Sequence, residues 1–397
     1  MDLYYFNPGC ELEVAFGSPA YTLQKNPKIL EHDLSTIPMC FAQKGDIVVS
    51  DTKDEDFKQF WGSMLGVRFA PINSPEVRKA QFGKFVPWGI SPRILHIISK
   101  LHFSAEYSEG CVGKWSSLHS ELFSRETSAK FFQKLIEKYG NADLFPTAGE
   151  LPIVARDINE ASQFFNKARD SRFHGSVFKA TYGSSGRGIK IFRNNLMTEN
   201  IITWTNFVLR TQGSLTCEHL FDKLEDFSMH YQIENGKARF VGVSSFSTAS
   251  NGAYESSLVK RLESIPSFDY ISAKELSEMH LDILNQSIFT QIYSGPLGID
   301  CMVYRDPESK YGIKINPCIE INCRHSMGRL AMEISKIVAP DCHAEYHVFQ
   351  KNYPIAEYSQ NAIWEDGKLI GGFLPLTPKD TQMFCAGIRV KRGENKV

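Results

Sequence analysis

The chain has 397 residues, of which 42% are hydrophobic and 22% charged, with a formal net charge of −1. Such a composition suits a globular protein of two or three domains with well-buried cores, and it offers no positive excess to draw nucleic acid or an anionic membrane. No run approaches the roughly 18 apolar residues of a membrane span, and the nine cysteines, never spaced C-x-x-C, point to reduced cytoplasmic thiols rather than disulfides or a zinc site.

In chain order, MDLYYFNPG lacks the basic region and apolar core of a secretion signal. Strands are expected at Asp2–Phe6 and Asp46–Ser50, and amphipathic helices at Asp54–Leu65 and Trp88–Leu101. Together they suggest a small α/β domain over residues 1–118. The NPGCELEVAFGSPAYT segment, Asn7–Thr22, is distinctive but suggests no chemistry by itself. A helix follows at Ser124–Gly140, with Ser124 as its cap and Gly140 as its stop. A strand in ELPIVARD and a helix over Asn159–Arg169 complete a first lobe over residues 119–210. A second lobe, residues 211–397, opens with LTCEHLFDKLEDFSMHYQI. It continues through a helix near Ala273–Ile292, strands at Gly298–Tyr304 and Lys314–Asn322, helices near Gly328–Lys336 and Cys342–Gln350, and closing strands.

The stretch VFKATYGSSGRGIKIF, residues 177–192, poses the chemical question. Val177, Lys179, Ile189 and Ile191 alternate as strands do. Between them Gly183, Gly186 and Gly188 free the backbone, and Ser184, Ser185 and Arg187 add donors. The loop is longer than a tight hairpin needs, and its exposed N–H groups could close over polyphosphate oxygens. Its G-x-x-G-x-G spacing fits neither a P-loop nor a dinucleotide fingerprint, both of which open a helix. A protein kinase would need HRD and DFG downstream; the nearest approach, His280-Leu281-Asp282, falls in a helical pattern and reads as a decoy.

Further on, Asp300 interrupts an apolar strand, and Glu320 and Asn322 stand two apart in IEINCRHSMG. On a strand, Glu320 and Asn322 share one face, with Ile319, Ile321 and Cys323 on the other. A carboxylate on one strand and Glu-x-Asn on the next can converge on Mg²⁺, which takes oxygen ligands, often one or two carboxylates completed by water and phosphate. A solvated strand face is the bland alternative. Glu218 and Asp226 could hold adenine and ribose, or be ordinary surface acids. His343 and His347, four apart on an expected helix, lack a third metal ligand. Tyr254, Lys260 and Arg261 follow a polar loop that could face substrate.

In this order — strand lysine, glycine-rich hairpin, hinge glutamate, ribose acid, aspartate, E-x-N — the residues resemble the ATP-grasp superfamily. The match runs from about Ser120 to Leu330, and a bacterial branch with an SSGRG loop and an E-x-N-x-R-x-x-M-G ending is nearest in detail. The resemblance implies an α+β fold, two lobes clamping ATP behind a small α/β domain. It implies that Lys179 contacts the α/β-phosphates. Gly183, Ser184, Ser185, Gly186, Arg187 and Gly188 would cover the β/γ-phosphates, with Glu218 on adenine and Asp226 on ribose. Asp300, Glu320 and Asn322 would hold two Mg²⁺ ions, with Mn²⁺ as a substitute. Many members carry another lysine where this chain has Arg125, with Lys130 one turn on; arginine could bind the phosphate bidentately instead.

The implied reaction joins a carboxylate to an amine or similar nucleophile through an acyl-phosphate, releasing ADP and phosphate. Catalytic roles would fall to Lys179, Arg187 and Arg324, the last sharing Asn322's face if the strand persists. His325 could reach the pocket or be a structural loop histidine. The expected partners are a small molecule or peptide carrying the carboxylate and an amine acceptor, in a cytoplasmic protein without nucleic acid or membrane; a homodimer would be unsurprising. Two alternatives stand beside this one: a phosphotransferase acting on a hydroxyl, and a nucleotide-binding module without chemistry.

Overall fold

The computed structural model describes residues 1–101, 114–173, 175–183, 188–193, 197–248, 254–259, 269–351 and 361–392. Ser184, Ser185, Gly186 and Arg187 of the glycine loop, and Lys260 and Arg261, lie outside the described residues. Among the described residues, no helix is long and apolar enough to cross a membrane.

The first strands in the chain are β1 (Leu3–Tyr5), β2 (Ile47–Val49), β3 (Arg68–Ala70) and β4 (Phe85–Pro87). They form a parallel sheet in the order β3-β2-β1-β4. Its core gathers Leu3, Ile47, Val77, Phe82, Phe85 and Ile94. Glu55–Leu65 is capped by Asp54, whose carboxylate accepts from Phe57 N at 3.1 Å. The helix expected over Trp88–Leu101 is shorter, Pro92–Ile98. Ser91 caps it and Pro92 opens it, a residue that fits only where the missing N–H is not needed.

Next come β5 (Ile153–Ala155), β6 (Ser176–Ala180), β7 (Ile189–Phe192) and β8 (Leu215–His219), an antiparallel sheet ordered β5-β8-β6-β7. Phe178, Phe192, Leu215 and Cys217 pack from it against Phe164 and Phe165 of the helix Ile158–Arg169. Asp157 caps that helix by accepting from Asn159 N and Glu160 N. β8, expected in the second lobe, therefore belongs to the first lobe's sheet.

The long strands β9 (Asp222–Glu234) and β10 (Lys237–Thr248), then β11 (Tyr254–Val259), β12 (Gly295–Arg305) and β13 (Ile313–Asn322), follow. β13, β12, β9 and β10 lie side by side, all antiparallel. One face is apolar, with Phe227, Met229, Tyr231, Ile299, Cys301 and Val303 buried. The helix Arg125–Tyr139 supplies Phe131, Phe132, Leu135 and Ile136 as its own buried stripe. Ser124 caps it, accepting from Glu126 N at 3.1 Å. The helix expected near Ala273–Ile292 divides into Ala273–Leu284 and Ile288–Ile292. Asn285 interrupts it and accepts from Ala238 N at 2.9 Å.

The chain ends with the helix Met327–Ser335 and strands β14 (Cys342–Gln350), β15 (Ile363–Glu365), β16 (Lys368–Pro375) and β17 (Phe384–Arg392). β11, β14, β17, β16 and β15 pair in that order, antiparallel throughout. Cys342–Gln350 is thus a strand and not the expected helix; Ala344 and Tyr346 alternate inward while His343 is exposed. Four residues along a strand span about 13 Å, so His343 and His347 are not metal-binding neighbours, and His347 Nε2 instead meets Glu345 at 3.0 Å.

The chain divides into two compact units, residues 1–115 with 255–261 and 324–397, and residues 116–254 with 262–323. The C-terminal stretch, expected in the second lobe, therefore clusters with the N-terminal domain. Asp33 is one reason: its buried carboxylate accepts from Gln382 N, Met383 N and Phe384 N at 2.7–2.9 Å.

Candidate functional site

The site is assembled within the second unit. On β6, Lys179 has Ile189 and Thr216 as Cα partners on its two sides, and Val177 faces Glu218. Alternation puts Lys179, Thr216 and Glu218 on one face and Phe178, Ala180 and Cys217 in the core. Lys179 and Glu218 are then a diagonal pair, with Nζ to Oε2 at 2.7 Å. Both are largely sheltered from solvent, at 7% and 16% side-chain exposure, so each is the other's counter-charge.

On the long sheet, Asp300 lies directly between Ser228 of β9 and Glu320 of β13, while Gly298 lies between His230 and Asn322. Directly opposed residues share a face, and this face is polar where the other is core. Asn322 Nδ2 donates to Asp300 Oδ2 at 2.9 Å, Ser228 Oγ donates to Asp300 Oδ1, and His230 Nε2 meets Ser244 Oγ at 2.7 Å. Gly298 leaves the space beside Asn322 to the His230 ring: a Cβ there would lie 3.7 Å from His230 Nδ1.

Past Glu320, counting backward, the β12–β13 register shifts between Asp300 and Met302. The irregularity falls at Pro317, which has no N–H for the ladder. Its carbonyl instead accepts from Cys301 Sγ at 3.2 Å and meets His280 Nε2 at 2.9 Å. His280 also meets the Tyr231 hydroxyl at 2.7 Å. Burial holds the His280 imidazole down at about 4. The histidine of the kinase-like decoy is therefore a closed core residue, on the opposite side of the sheet from the oxygen face.

The bulge turns Asn316, Cys318 and Ile319 toward a narrow cleft whose other wall holds Arg125, Thr216 and Glu218. Burial pushes the Cys318 thiol well up; Asp300, Glu218 and Glu320 add to the effect and Lys179 opposes it. Glu218, the ion partner of Lys179, and Arg125, the ion partner of Glu320, both line that cleft.

Arg125 joins the two directly. Its Nη1 donates to Ala180 O at 2.7 Å, and its Nη2 donates to Gly183 O at 3.2 Å and sits 3.0 Å from Glu320 Oε1. Asp226 is buried at the edge of the oxygen face, opposite Met302, and is paired with Lys223 of its own strand. Gly188 has φ +75°, the left-handed region that glycine tolerates best, and closes the hairpin by accepting from Ala180 N at 2.8 Å.

Arg324 behaves differently from the expectation. β13 ends at Asn322, so the strand alternation does not carry Arg324 onto that face. Its Nε is bound to the carboxylate of Glu11. Its neighbour His325 donates its backbone N–H to Trp88 O at 2.8 Å, and the ring lies 4.4 Å from Phe41 and 5.8 Å from Trp88. The distinctive Asn7–Thr22 segment, which suggests no chemistry by itself, contributes to a buried network in which Asn7 exchanges two hydrogen bonds with the Gly89 backbone and Glu13 binds Ser91 and Arg93.

The donor set fits a hard cation in one respect: Asp300, Glu320 and Asn322 offer oxygen, and two carboxylates are what Mg²⁺ commonly takes from protein. Among the described residues no three His, Cys, Asp or Glu side chains converge on a metal position, so water and phosphate oxygens would have to complete the shell.

No family model matches the chain, and no curated protein matches it in sequence. Solved structures do match. Phosphoribosylamine–glycine ligase from Thermotoga maritima is 13% identical, with a TM-score of 0.55 over 100% of this chain and 93% of that one. Biotin carboxylase from Campylobacter jejuni, as its β-γ-ATP complex, is 12% identical, with a TM-score of 0.53 over 100% and 88%. Pyruvate carboxylase from Rhizobium etli is 10% identical, with a TM-score of 0.54 over 99% of this chain and 36% of that one. At these identities the likeness is one of fold, and over its whole length the chain has the ATP-grasp fold.

Proposed function

We propose that the chain is an ATP-dependent ligase that joins a carboxylate to an amine or similar nucleophile through an acyl-phosphate. The supporting observation is the arrangement of Lys179 and the Asp300–Glu320–Asn322 face within one unit, with Arg125 bound to both the hairpin backbone and Glu320. The similar structures named as a phosphoribosylamine–glycine ligase and as a biotin carboxylase in a β-γ-ATP complex favour the same reading.

In this reading Lys179, released from Glu218, holds α/β-phosphate oxygens. The hairpin from Gly183 to Gly188, including Ser184, Ser185, Gly186 and Arg187, covers the β/γ-phosphates. Glu218 and the backbone beyond it line the adenine end of the cleft, and Asp226 meets the ribose hydroxyls. Asp300, Glu320 and Asn322 hold Mg²⁺, which when bound neutralises charge on the transferring phosphoryl group. Attack of one anion on another is the electrostatic obstacle here, and fixed cationic side chains aimed at the developing charge lower it. The first product is an acyl-phosphate; the nitrogen then attacks its carbonyl carbon, the C–N bond forms, the bond from that carbon to the phosphate oxygen breaks, and phosphate leaves.

Amino acids, small peptides and polyamines offered with Mg²⁺-ATP should reveal a pair that releases ADP, and hydroxylamine should trap the intermediate as a hydroxamate. Lys179→Ala and Glu320→Gln should each lower that turnover about 100-fold or more. Full turnover in either variant overturns the reading. ADP release with a hydroxyl acceptor and no hydroxamate would replace it with a phosphotransferase.

A further inference from the structure

Arg125 opens its helix beside the turn that ends β6: its backbone N–H donates to Thr181 O at 3.0 Å. The side chain is 3% exposed and serves several acceptors at once. Nη1 takes Ala180 O; Nη2 takes Gly183 O and approaches both Glu320 oxygens, at 3.0 and 3.3 Å. Nε is buried with no partner among the described residues. A lysine at this position is a single charge on a flexible stem, and it could not span two carbonyls and a carboxylate in one plane.

Among the described residues Arg125 is the cation paired with Glu320, whose side chain is only 22% exposed, so leaving that carboxylate unpaired there would cost stability. A hard cation arriving at Glu320 seeks the same oxygens. Once it takes them, the guanidinium has lost its counter-charge while keeping its place beside the hairpin carbonyls. Its fork then suits a phosphate group, and its orphan Nε–H supplies a further donor. We infer that Arg125 and Glu320 form an exchangeable pair that couples cation capture to phosphate capture, with Arg125 acting as a positioning residue between Glu320 and the glycine hairpin. This rests on the nucleotide-binding reading above and adds to it an order: Glu320 must let go of Arg125 before the arginine can hold an anion.

The test is a double-mutant cycle on ADP binding by the full chain, read by calorimetry in EDTA. Glu320→Gln removes the competing charge, so it should tighten metal-free ADP binding about tenfold. Loss of a nearby negative charge would aid an anion even without Arg125, so the same substitution is repeated in an Arg125→Met background. There the gain should fall to about twofold or less. Arg125→Lys, which keeps the charge and disturbs the fold less, should also lose most of the gain. An equal gain in all backgrounds overturns the exchange while leaving nucleotide binding intact. Absence of ADP binding by the wild type, with or without Mg²⁺, overturns the nucleotide reading and this inference with it.

Discussion

Each compact unit holds a buried group of ionic side chains. In the N-terminal unit Glu11, Glu13 and Glu31 share Arg93 and Arg324, and each carboxylate oxygen has a donor. Even the weak donor is fixed: burial and the Glu11 charge push the Cys10 thiol well above its ordinary range, so it stays protonated and donates to Glu11 at 3.3 Å. Around Arg125 in the second unit, Arg125 Nε and the Thr216 hydroxyl are buried on the cleft wall without partners among the described residues. Buried polar groups are nearly always paired, so the first cluster is finished and the second is not. On the proposed reading, the cleft beside Arg125 is where a ligand supplies the missing partners, and the richer cluster is the structural one.

The largest effect should come from breaking the finished cluster. Arg93→Met leaves Glu13, fully buried, and Glu31, 13% exposed, without their shared cation. Removing one partner of a buried ion group costs about 3–5 kcal/mol. Urea unfolding should show that loss, while ADP affinity of the folded protein stays unchanged. A loss below about 1 kcal/mol would mean the cluster is not the closed structural unit described.

His280 sharpens the contrast on the second unit's own sheet, since it is closed by Tyr231 and Pro317 on the core side. Its folded-state value is about 4, against 6.5 for the ordinary imidazole. In the unfolded chain it takes up a proton near 6.5, so between those values the unfolded state binds more protons. Its stabilising contribution is complete above pH 6.5 and is lost as pH falls toward 4, on the order of 3 kcal/mol in all. Comparing urea midpoints at pH 7.5 and 4.5, His280→Gln should show a shallower decline than the wild type. Equal slopes would mean His280 is protonated in the fold.

How much of this could be read from residues follows from range. Ser124, Gly140 and Asp157 are local signals, and the helices they bound appear where expected. The two-residue period places Glu320 and Asn322 on one face, and the structure puts Asp300 opposite Glu320. Cys342–Gln350 misled because its charged and histidine positions fit a helical spacing, although Ala344, Tyr346 and Val348 also alternate. The Pro317 bulge depends on a partner strand. The meaning of Asn7–Glu13 depends on Gly89, Arg93 and Arg324, which are 80 to 313 residues away in sequence from their partners, a range at which no periodicity speaks. The place of the C-terminal strands depends on Asp33 and on Thr36, whose hydroxyl donates to Leu376 O at 2.7 Å.

The smallest effect tests the idea of unfinished partnering most directly. Thr216 is 2% exposed, faces the cleft beside Glu218, and has a hydroxyl with no partner among the described residues. Valine has nearly its shape. Thr→Val usually costs stability because a hydrogen-bonded hydroxyl is lost, but here nothing is bonded, so the buried polar group is simply removed. Thr216→Val should therefore be neutral or stabilising by up to about 1 kcal/mol in thermal unfolding without nucleotide. If a ligand supplies the missing partner, ADP affinity should fall about threefold to tenfold, the worth of one ordinary hydrogen bond. Stability and affinity would then move in opposite directions, which a packing role alone cannot produce. A stabilised variant with unchanged ADP affinity would show that Thr216 belongs to the wall and not to the site, and the difference between the two clusters would rest on Arg125 alone.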